Sequence, residues 1–387
     1  MKTQLAIEIL ANLVSFDTTS RNSNLALIEW IEDYLGRHGV VGTRSYEPER
    51  RKANLWATIG PRDQAGFVLS GHTDTVPVDG QAWTSNPFEL IELDGRLFGR
   101  GTCDMKGFLA CVLAMVPDMV AAPLQKPLHL AFSHDEEVGL VGVRYMLADV
   151  DRLAPVKPAV CFVGEPTSMQ VVVAHKGKHS YRVEVRGKPC HSSLAPKGVN
   201  AVDYAAEVIL KIRDLARRFA AEGPFDPLYD VGFSTAHTGV IHGGTALNIV
   251  PERCEFLFEL RMLPGVDHAP YEAELLRFIR EDVEPRMQAV DPATGIDFTL
   301  MNGFPGFDTA IDSAPTLLAK RLAGRNDHAK VAYGTEAGLF VWQGGIPSVV
   351  IGPGSIDQAH AADEYVEIAQ LERCIGFIHR LIEHCVA

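Results

Sequence analysis

The chain has 387 residues, 47% of them apolar and 22% charged, and a net charge of −13 at neutral pH. That length suits two domains, or one large domain with an insertion. The acidic balance and the lack of any basic run argue against nucleic acid as a partner, and no stretch approaches the roughly 18 apolar residues needed to cross a bilayer.

Residues 3–14 carry apolar side chains at helical spacing with Glu8 among them, so the start reads as an amphipathic helix rather than a signal peptide. A second helix is expected over 24–38, on a Trp30/Ile31/Leu35 stripe that stops at Gly39. "NLWATIG" (54–60) and "GFVLSGHTD" (66–74) read as strands, the latter almost continuously apolar, as a strand buried on both faces is. Residues 105–120 form a helix with too little polarity to face water, followed by a strand at 128–133, a helix at 142–150 and a strand at 159–166. This alternation predicts an α/β fold with a largely parallel central sheet flanked by helices.

The character changes near Lys176. "KHSYRVEVRG" (178–187) alternates apolar and polar, as a half-exposed strand does. A helix near 199–220, strands at 234–244 and 253–262, a helix at 268–287 and a strand near 296–301 complete a β-α-β-β-α-β order, the signature of an α+β ferredoxin-like unit. From about 303 the α/β pattern resumes, with a buried strand in 347–354 and a closing helix at 368–383. The expected division is an α/β domain in two parts, 1–176 and 303–387, around an inserted domain at 177–302. Seven cysteines, odd in number and never in a CxxC pair, read as reduced thiols, so a cytoplasmic location is expected.

Three consecutive carboxylates, Asp135, Glu136 and Glu137, follow the apolar run at 128–133, with no Lys or Arg within six residues on either side. Similar groups stand where other buried strands end or a helix begins: His72 and Asp74 in "GHTDTVP", Asp104 in "GRGTCDMKG", Glu165 in "GEPT" and His360 in "GSIDQAH". Ligands of open α/β sheets bind outside the carboxyl ends of the strands, and carboxylates converging there need a cation to offset their repulsion. Each residue also has a plainer reading. Asp104 could cap the helix expected from Met105, Glu136 and Glu137 could face water, Glu165 could belong to a turn before Pro166, and His72 could be an ordinary satisfied histidine. Five such segments together point to a metal centre, and imidazole with carboxylate suits zinc and its neighbours better than magnesium. A carboxylate bridging two metals would hold them roughly 3.5–4 Å apart.

"SGHTDTVP", "GRGTCDMKG", "DEEVG", "VGEPT", "CHSS" and "GPGSIDQAH" together resemble the M20 family of metallopeptidases and amidohydrolases, and the resemblance runs from "DTTS" (17–20) to the terminal helix. It implies a catalytic domain holding two divalent metal ions, zinc foremost with cobalt or manganese accepting the same set, and an inserted lid through which two copies pair. His72 would bind one metal, Asp104 would bridge both, Glu165 would complete the first set, and Glu137 and His360 the second. Asp74 would orient the His72 imidazole, and Glu136 would be the general base toward a metal-bridged water. In the lid, His191 would reach the partner chain's site and stabilise the oxyanion, although Cys190 stands where the family has glycine. Asn248, Arg261 and the N–H of Gly352 would bind substrate, with Arg261 suited to an α-carboxylate and equally to a structural salt bridge.

Glu336 in "YGTEAG" would favour a cationic substrate tail, or simply sit in the first turn of a helix capped by Thr335. The implied reaction is removal of the acetyl group from N2-acetyl-L-ornithine, with N-succinyl-diaminopimelate, other N-acyl amino acids or peptides as rival substrates. A non-catalytic metal-binding relative is the alternative from another class, but it would have no need of Glu136 or Asp74. No G-x-S-x-G elbow supports a serine hydrolase, and Cys103 reads as a small buried residue. His134, His175, His179, His237 and His242 are not expected to be ligands.

Overall fold

The run Leu128–Ser133 is a strand buried along its whole length, and it lies inside a nine-stranded sheet. The computed structural model of the protein describes residues 1–386. Its main sheet runs in the order Gly42–Tyr46, Ala53–Ile59, Leu128–Ser133, Phe67–His72, Val160–Val163, Ser348–Val350, Val172–His175 and Phe307–Asp308, with Ala329–Val331 beside Val172–His175. The four strands from Leu128–Ser133 to Ser348–Val350 are mutually parallel, and their neighbours on either side are antiparallel. Those four strands are buried at every residue, which is why their sequences read as unbroken apolar runs.

Helices cover both faces. Lys2–Ser15, Lys106–Ala121, Ala314–Ala323 and Ile368–Val386 pack together on one side, while Gly142–Ala148 and Ala337–Trp342 pack on strands of the same sheet. Every residue from Lys106 to Val116 is buried, so this helix is apolar all round rather than amphipathic. Each fully buried Leu or Val there contributes about 1.5–3 kcal/mol, and that burial anchors the loop from which Asp104 projects. No helix among the described residues is long and apolar enough to cross a membrane.

The chain divides into two compact units, one of 1–174, 307–330 and 335–387, the other of 175–306 and 331–334. The second unit holds a four-stranded antiparallel sheet in the order Thr235–Gly243, Arg253–Met262, Gly177–Arg186 and Gly295–Phe304. Along Gly177–Arg186, Tyr181, Val183 and Val185 enter a core with Val208, Ile212 and Leu215 of helix Ala201–Glu222, and the intervening Arg182, Glu184 and Arg186 face water. Asn200 caps that helix, accepting hydrogen bonds from the N–H groups of Val202 and Asp203. The helix expected over 268–287 is present, and it contains a π turn at Phe278–Val283 between Ala269–Arg277 and Glu284–Gln288. Pro285, which has no N–H to donate, stands in the first turn of the last segment.

Candidate metal centre

All four parallel strands emerge at one edge of the sheet, and each delivers acidic or imidazole groups to it. Phe67–His72 ends on His72; Leu128–Ser133 leads into Asp135, Glu136 and Glu137; Val160–Val163 leads to Glu165; Ser348–Val350 leads to the loop carrying His360. Asp104 arrives from the turn before Lys106–Ala121. It is not a helix cap, because its side chain turns to the two histidines: its oxygens lie 3.0 Å from His72 Nε2 and 3.2 Å from His360 Nε2. His360 Nε2 also lies 3.1 Å from Glu137, so Asp104, Glu137 and His360 form one cluster. Ligand atoms of His72, Glu136 and Glu165 lie within 4.8 Å of one another, as do those of His72, Asp104 and Glu137. Asp135 and His360 both adopt left-handed backbone (φ 54° and 60°), a conformation that non-glycine residues keep only where their surroundings enforce it.

The charges in this cluster are out of balance. Among the described residues no lysine or arginine pairs with Glu136, Glu137 or Glu165. One buried oxygen of Glu165 has no hydrogen-bond partner, and no hydrogen bond among the described residues reaches the Glu136 carboxylate. Burial, then the neighbouring Glu165 charge, raises the Glu136 carboxyl well above the ordinary range. Burial and Asp104 push Glu137 up to about 7, and the same two causes raise Glu165. Burial would raise Asp104 as well, but hydrogen bonds from His360 and His72 outweigh it and hold that carboxyl low. Hydrogen bonds to Asp104 and Glu137 push His360 up to about 10. A buried set of carboxylates that draws its histidines toward the cation and leaves an oxygen orphaned is short of positive charge, and its mixed nitrogen and oxygen donors suit divalent metal.

The family model described as Peptidase family M20/M25/M40 matches residues 68–384. The chain belongs to this family. It is therefore a hydrolase of amide bonds from a class of metal-dependent enzymes. An acetylornithine deacetylase of Yersinia pseudotuberculosis is 36% identical over 373 residues, covering 95% of this chain and 92% of that protein. One from Proteus mirabilis is 35% identical over 373 residues, covering 96% and 93%. Among solved structures, the aminopeptidase PepT of Bacillus cereus superposes with a TM-score of 0.77 over 100% of this chain and 99% of its own, at 21% identity. The YXEP protein of Bacillus subtilis, a dinuclear metal-binding M20 peptidase, does so with a TM-score of 0.68 over 98% and 97%, at 16% identity. Both share the fold.

Within this M20 chain, Asp74 does more than its position beside His72 suggests. The His72 Nδ1 partner is the Asp74 backbone carbonyl, at 2.9 Å, and the carboxylate lies 3.6 Å away. That carboxylate accepts hydrogen bonds from the N–H groups of Glu136 (3.1 Å) and Glu137 (3.3 Å) and from Ser20 Oγ (2.7 Å). One aspartate thus ties the histidine strand to the paired glutamates. Lys52 adds a second tie, donating to the Ser20 carbonyl and, at 2.5 Å, to Asp135.

Glu364 is a further supporting residue that local pattern does not reveal. It is 1% exposed and accepts from the N–H groups of Gly101 (3.0 Å), Cys103 (2.9 Å) and Asp104 (3.0 Å), while fully buried Arg100 pairs with it at 2.7 Å. Its neighbours "ADEY" carry no sign of this, and only a search for carboxylates able to satisfy the turn's N–H groups would have found it. Glu364→Gln removes one partner of a buried ion pair and turns an amide toward donors, so it is expected to cost about 3–5 kcal/mol of stability. Denaturant unfolding of metal-free protein is the measurement, and an unchanged midpoint would rule out this structural role.

Two substrate-site expectations meet a different geometry. Glu336 is 1% exposed rather than an accessible acid at a site mouth, and its carboxylate accepts from Ser133 Oγ and, at 3.2 Å, from Ser70 Oγ. It therefore braces the two strands that carry His72 and the paired glutamates. The N–H of Gly352 donates to Thr167 Oγ1 at 3.2 Å instead of standing free. Glycine is needed at 352 because a Cβ there would lie 2.0 Å from the Gly164 carbonyl oxygen, so the residue lets two strand ends approach closely. With Glu336 acting as a brace, Glu336→Gln should lower kcat/KM by the same factor for N2-acetylornithine and for neutral N-acetylmethionine. A loss confined to the cationic substrate would restore the charge-pairing role.

His191, Asn248 and Arg261 belong to the second unit. His191 is exposed, and its Nδ1 accepts from the Ser193 N–H at 3.2 Å, so in the neutral ring the proton sits on Nε2, free to donate. The Ser192 N–H donates to the Asn248 carbonyl at 3.0 Å, which places the two loops side by side. Cys190 avoids the left-handed region, so the backbone here does not require glycine. Arg261 is held by Glu259 at 2.7 Å through Nε and by the Ala332 carbonyl at 3.2 Å through Nη1.

Proposed function

We propose that this M20 hydrolase removes the acetyl group of N2-acetyl-L-ornithine, releasing L-ornithine and acetate in the cytoplasm as a step of arginine biosynthesis. The observation that carries the substrate assignment is the near full-length similarity to acetylornithine deacetylases at 36% identity. The site supports the chemistry. His72, Asp104 and Glu165 would hold one divalent ion and Asp104, Glu137 and His360 the other, with zinc the leading choice and cobalt or manganese compatible with the same donors. When bound, such ions lower the pKa of water toward about 7 and polarise an amide carbonyl. Glu136, half-buried and with no hydrogen bond to its carboxylate among the described residues, takes the proton from the attacking water and delivers it to the departing amine nitrogen. Asp74 keeps the base aimed through the Glu136 N–H. His191 donates its Nε2–H to the developing oxyanion of a site in a second copy. Arg261 binds the substrate α-carboxylate, and Asn248 contacts the substrate beside His191.

In this reading, residues 1–176 and 303–387 form the catalytic domain and 177–302 a lid through which two chains pair. The deciding experiment follows amine release from N2-acetylornithine by purified protein, before and after chelation and after return of zinc, cobalt or manganese. Activity that disappears with chelation and returns with metal is expected. Preference for N-succinyl or N-formyl amino acids in the same assay would overturn the substrate, and chelator-resistant hydrolysis would overturn the mechanism.

A further inference from the structure

A groove of about 510 Å³ lies between the helices Ala314–Ala323 and Ile368–Val386, among residues distinct from the metal cluster. Its apolar lining is buried Met169 and Ala323, while the Arg380 guanidinium lies against Gly376, 3.4 and 3.9 Å from where a Cβ would stand. Three arginines, Arg325, Arg373 and Arg380, line it with one carboxylate, Glu372, so guanidinium groups outnumber lining carboxylates three to one. In a chain of net charge −13, such a local excess of guanidinium focuses attraction for anions where the rest of the molecule repels them.

The three cations are not used up by their neighbours. Arg325 follows Gly324, whose left-handed conformation ends the first helix, and is fixed by two bonds to Asp327 (2.8 and 2.6 Å) through Nε and Nη2, leaving Nη1. Arg380 donates Nε to the Leu322 carbonyl at 2.5 Å, leaving both Nη groups. Arg373 has no hydrogen-bond or ion-pair partner among the described residues. Neutralising the helix C-terminus accounts for the Arg380 Nε bond. It does not account for Arg373, which stands two turns away along its own helix, nor for the open volume.

We propose that this groove binds a small phosphate monoester with a flat apolar body. The phosphate would sit among the guanidinium groups, which match phosphate oxygens in pairs, and the body would lie on Met169 and Ala323. The volume is within the range of small-molecule sites, and the anion meets three guanidinium groups against the Glu372 carboxylate, with Arg325 already paired to Asp327.

Adenosine monophosphate is a suitable probe, with adenosine and inorganic phosphate as controls, in calorimetric titrations of metal-loaded protein at fixed ionic strength. Saturable binding of the nucleotide is expected, at least tenfold tighter than either control, because each half of the ligand then contributes. Arg373→Gln, an exposed and unpartnered position whose loss does not threaten folding, should weaken it at least tenfold, and Arg373→Gln/Arg380→Gln should abolish it. Hydrolytic activity should be unchanged in both variants. Nucleotide binding that survives both variants would place the anion elsewhere, including on the metals, and would overturn the proposal. So would equal binding of adenosine, or no saturable binding at all.

Discussion

Glu136→Gln is expected to retain metal at near wild-type content while turnover falls by at least about a hundredfold, the typical contribution of a positioned general base. The amide keeps the shape of the side chain but cannot take a proton from water. Glu137→Gln should fail in the opposite order, losing one metal first, because Glu137 stands in the cluster with His360 and Asp104 while no hydrogen bond among the described residues reaches the Glu136 carboxylate. Elemental analysis beside steady-state kinetics separates the two. Equal metal loss in both variants would mean that Glu136 is a ligand too, a reading its closeness to His72 and Glu165 keeps testable.

The second large effect is expected at His191. His191→Ala removes the Nε2–H donor and should lower kcat by roughly a hundred- to a thousandfold, the usual cost of an oxyanion donor, with metal content intact. The side chain is exposed and held only through Nδ1 by its own loop, so folding should not suffer. If His191 serves the partner's site, mixing the inactive His191→Ala and Glu136→Gln proteins should restore activity. Each mixed dimer then contains one site with both groups intact, so random exchange should recover roughly a quarter of wild-type turnover. No recovery despite demonstrated subunit exchange would confine His191 to its own chain, or remove it from catalysis.

The bracing of Asp74 bears on both experiments. Its carboxylate holds the N–H groups of both glutamates, so a substitution there would disturb base and ligand together and could not separate them. Only changes at the glutamates themselves keep the frame intact. Outer partners of this kind commonly alter metal affinity or activity by about 10–100-fold.

Much of the centre is legible in the chain because its signals are local. An unbroken apolar run marks a strand buried on both faces, and the residues that follow it must lie at that strand's carboxyl end. His72, Glu136, Glu137 and Glu165 could therefore be placed on one edge before any pairing of strands was known. The alternation in Gly177–Arg186 likewise marked a one-sided sheet, and that sheet's buried residues are the alternate ones. Short elements such as Gly42–Tyr46, Ile91–Leu93, Ala329–Val331 and Tyr365–Glu367 carry no such mark, because three to five residues give no periodicity to read.

By itself the sequence determined which residue types stand at the strand ends, and the motifs that mark the chain as an M20 hydrolase. The tertiary structure alone decided which groups face one another. Asp104 could have capped a helix until His72 and His360 were seen beside it, and Glu336 could have faced a substrate until Ser70 and Ser133 were found on its oxygens. Glu364, Ser20 and Lys52 carry no local signature of their bracing roles. The reason is physical. Covalent neighbours set what a residue can be, but a buried carboxylate's role depends on which donors the folded chain brings within hydrogen-bond reach, and those donors come from remote segments of the sequence.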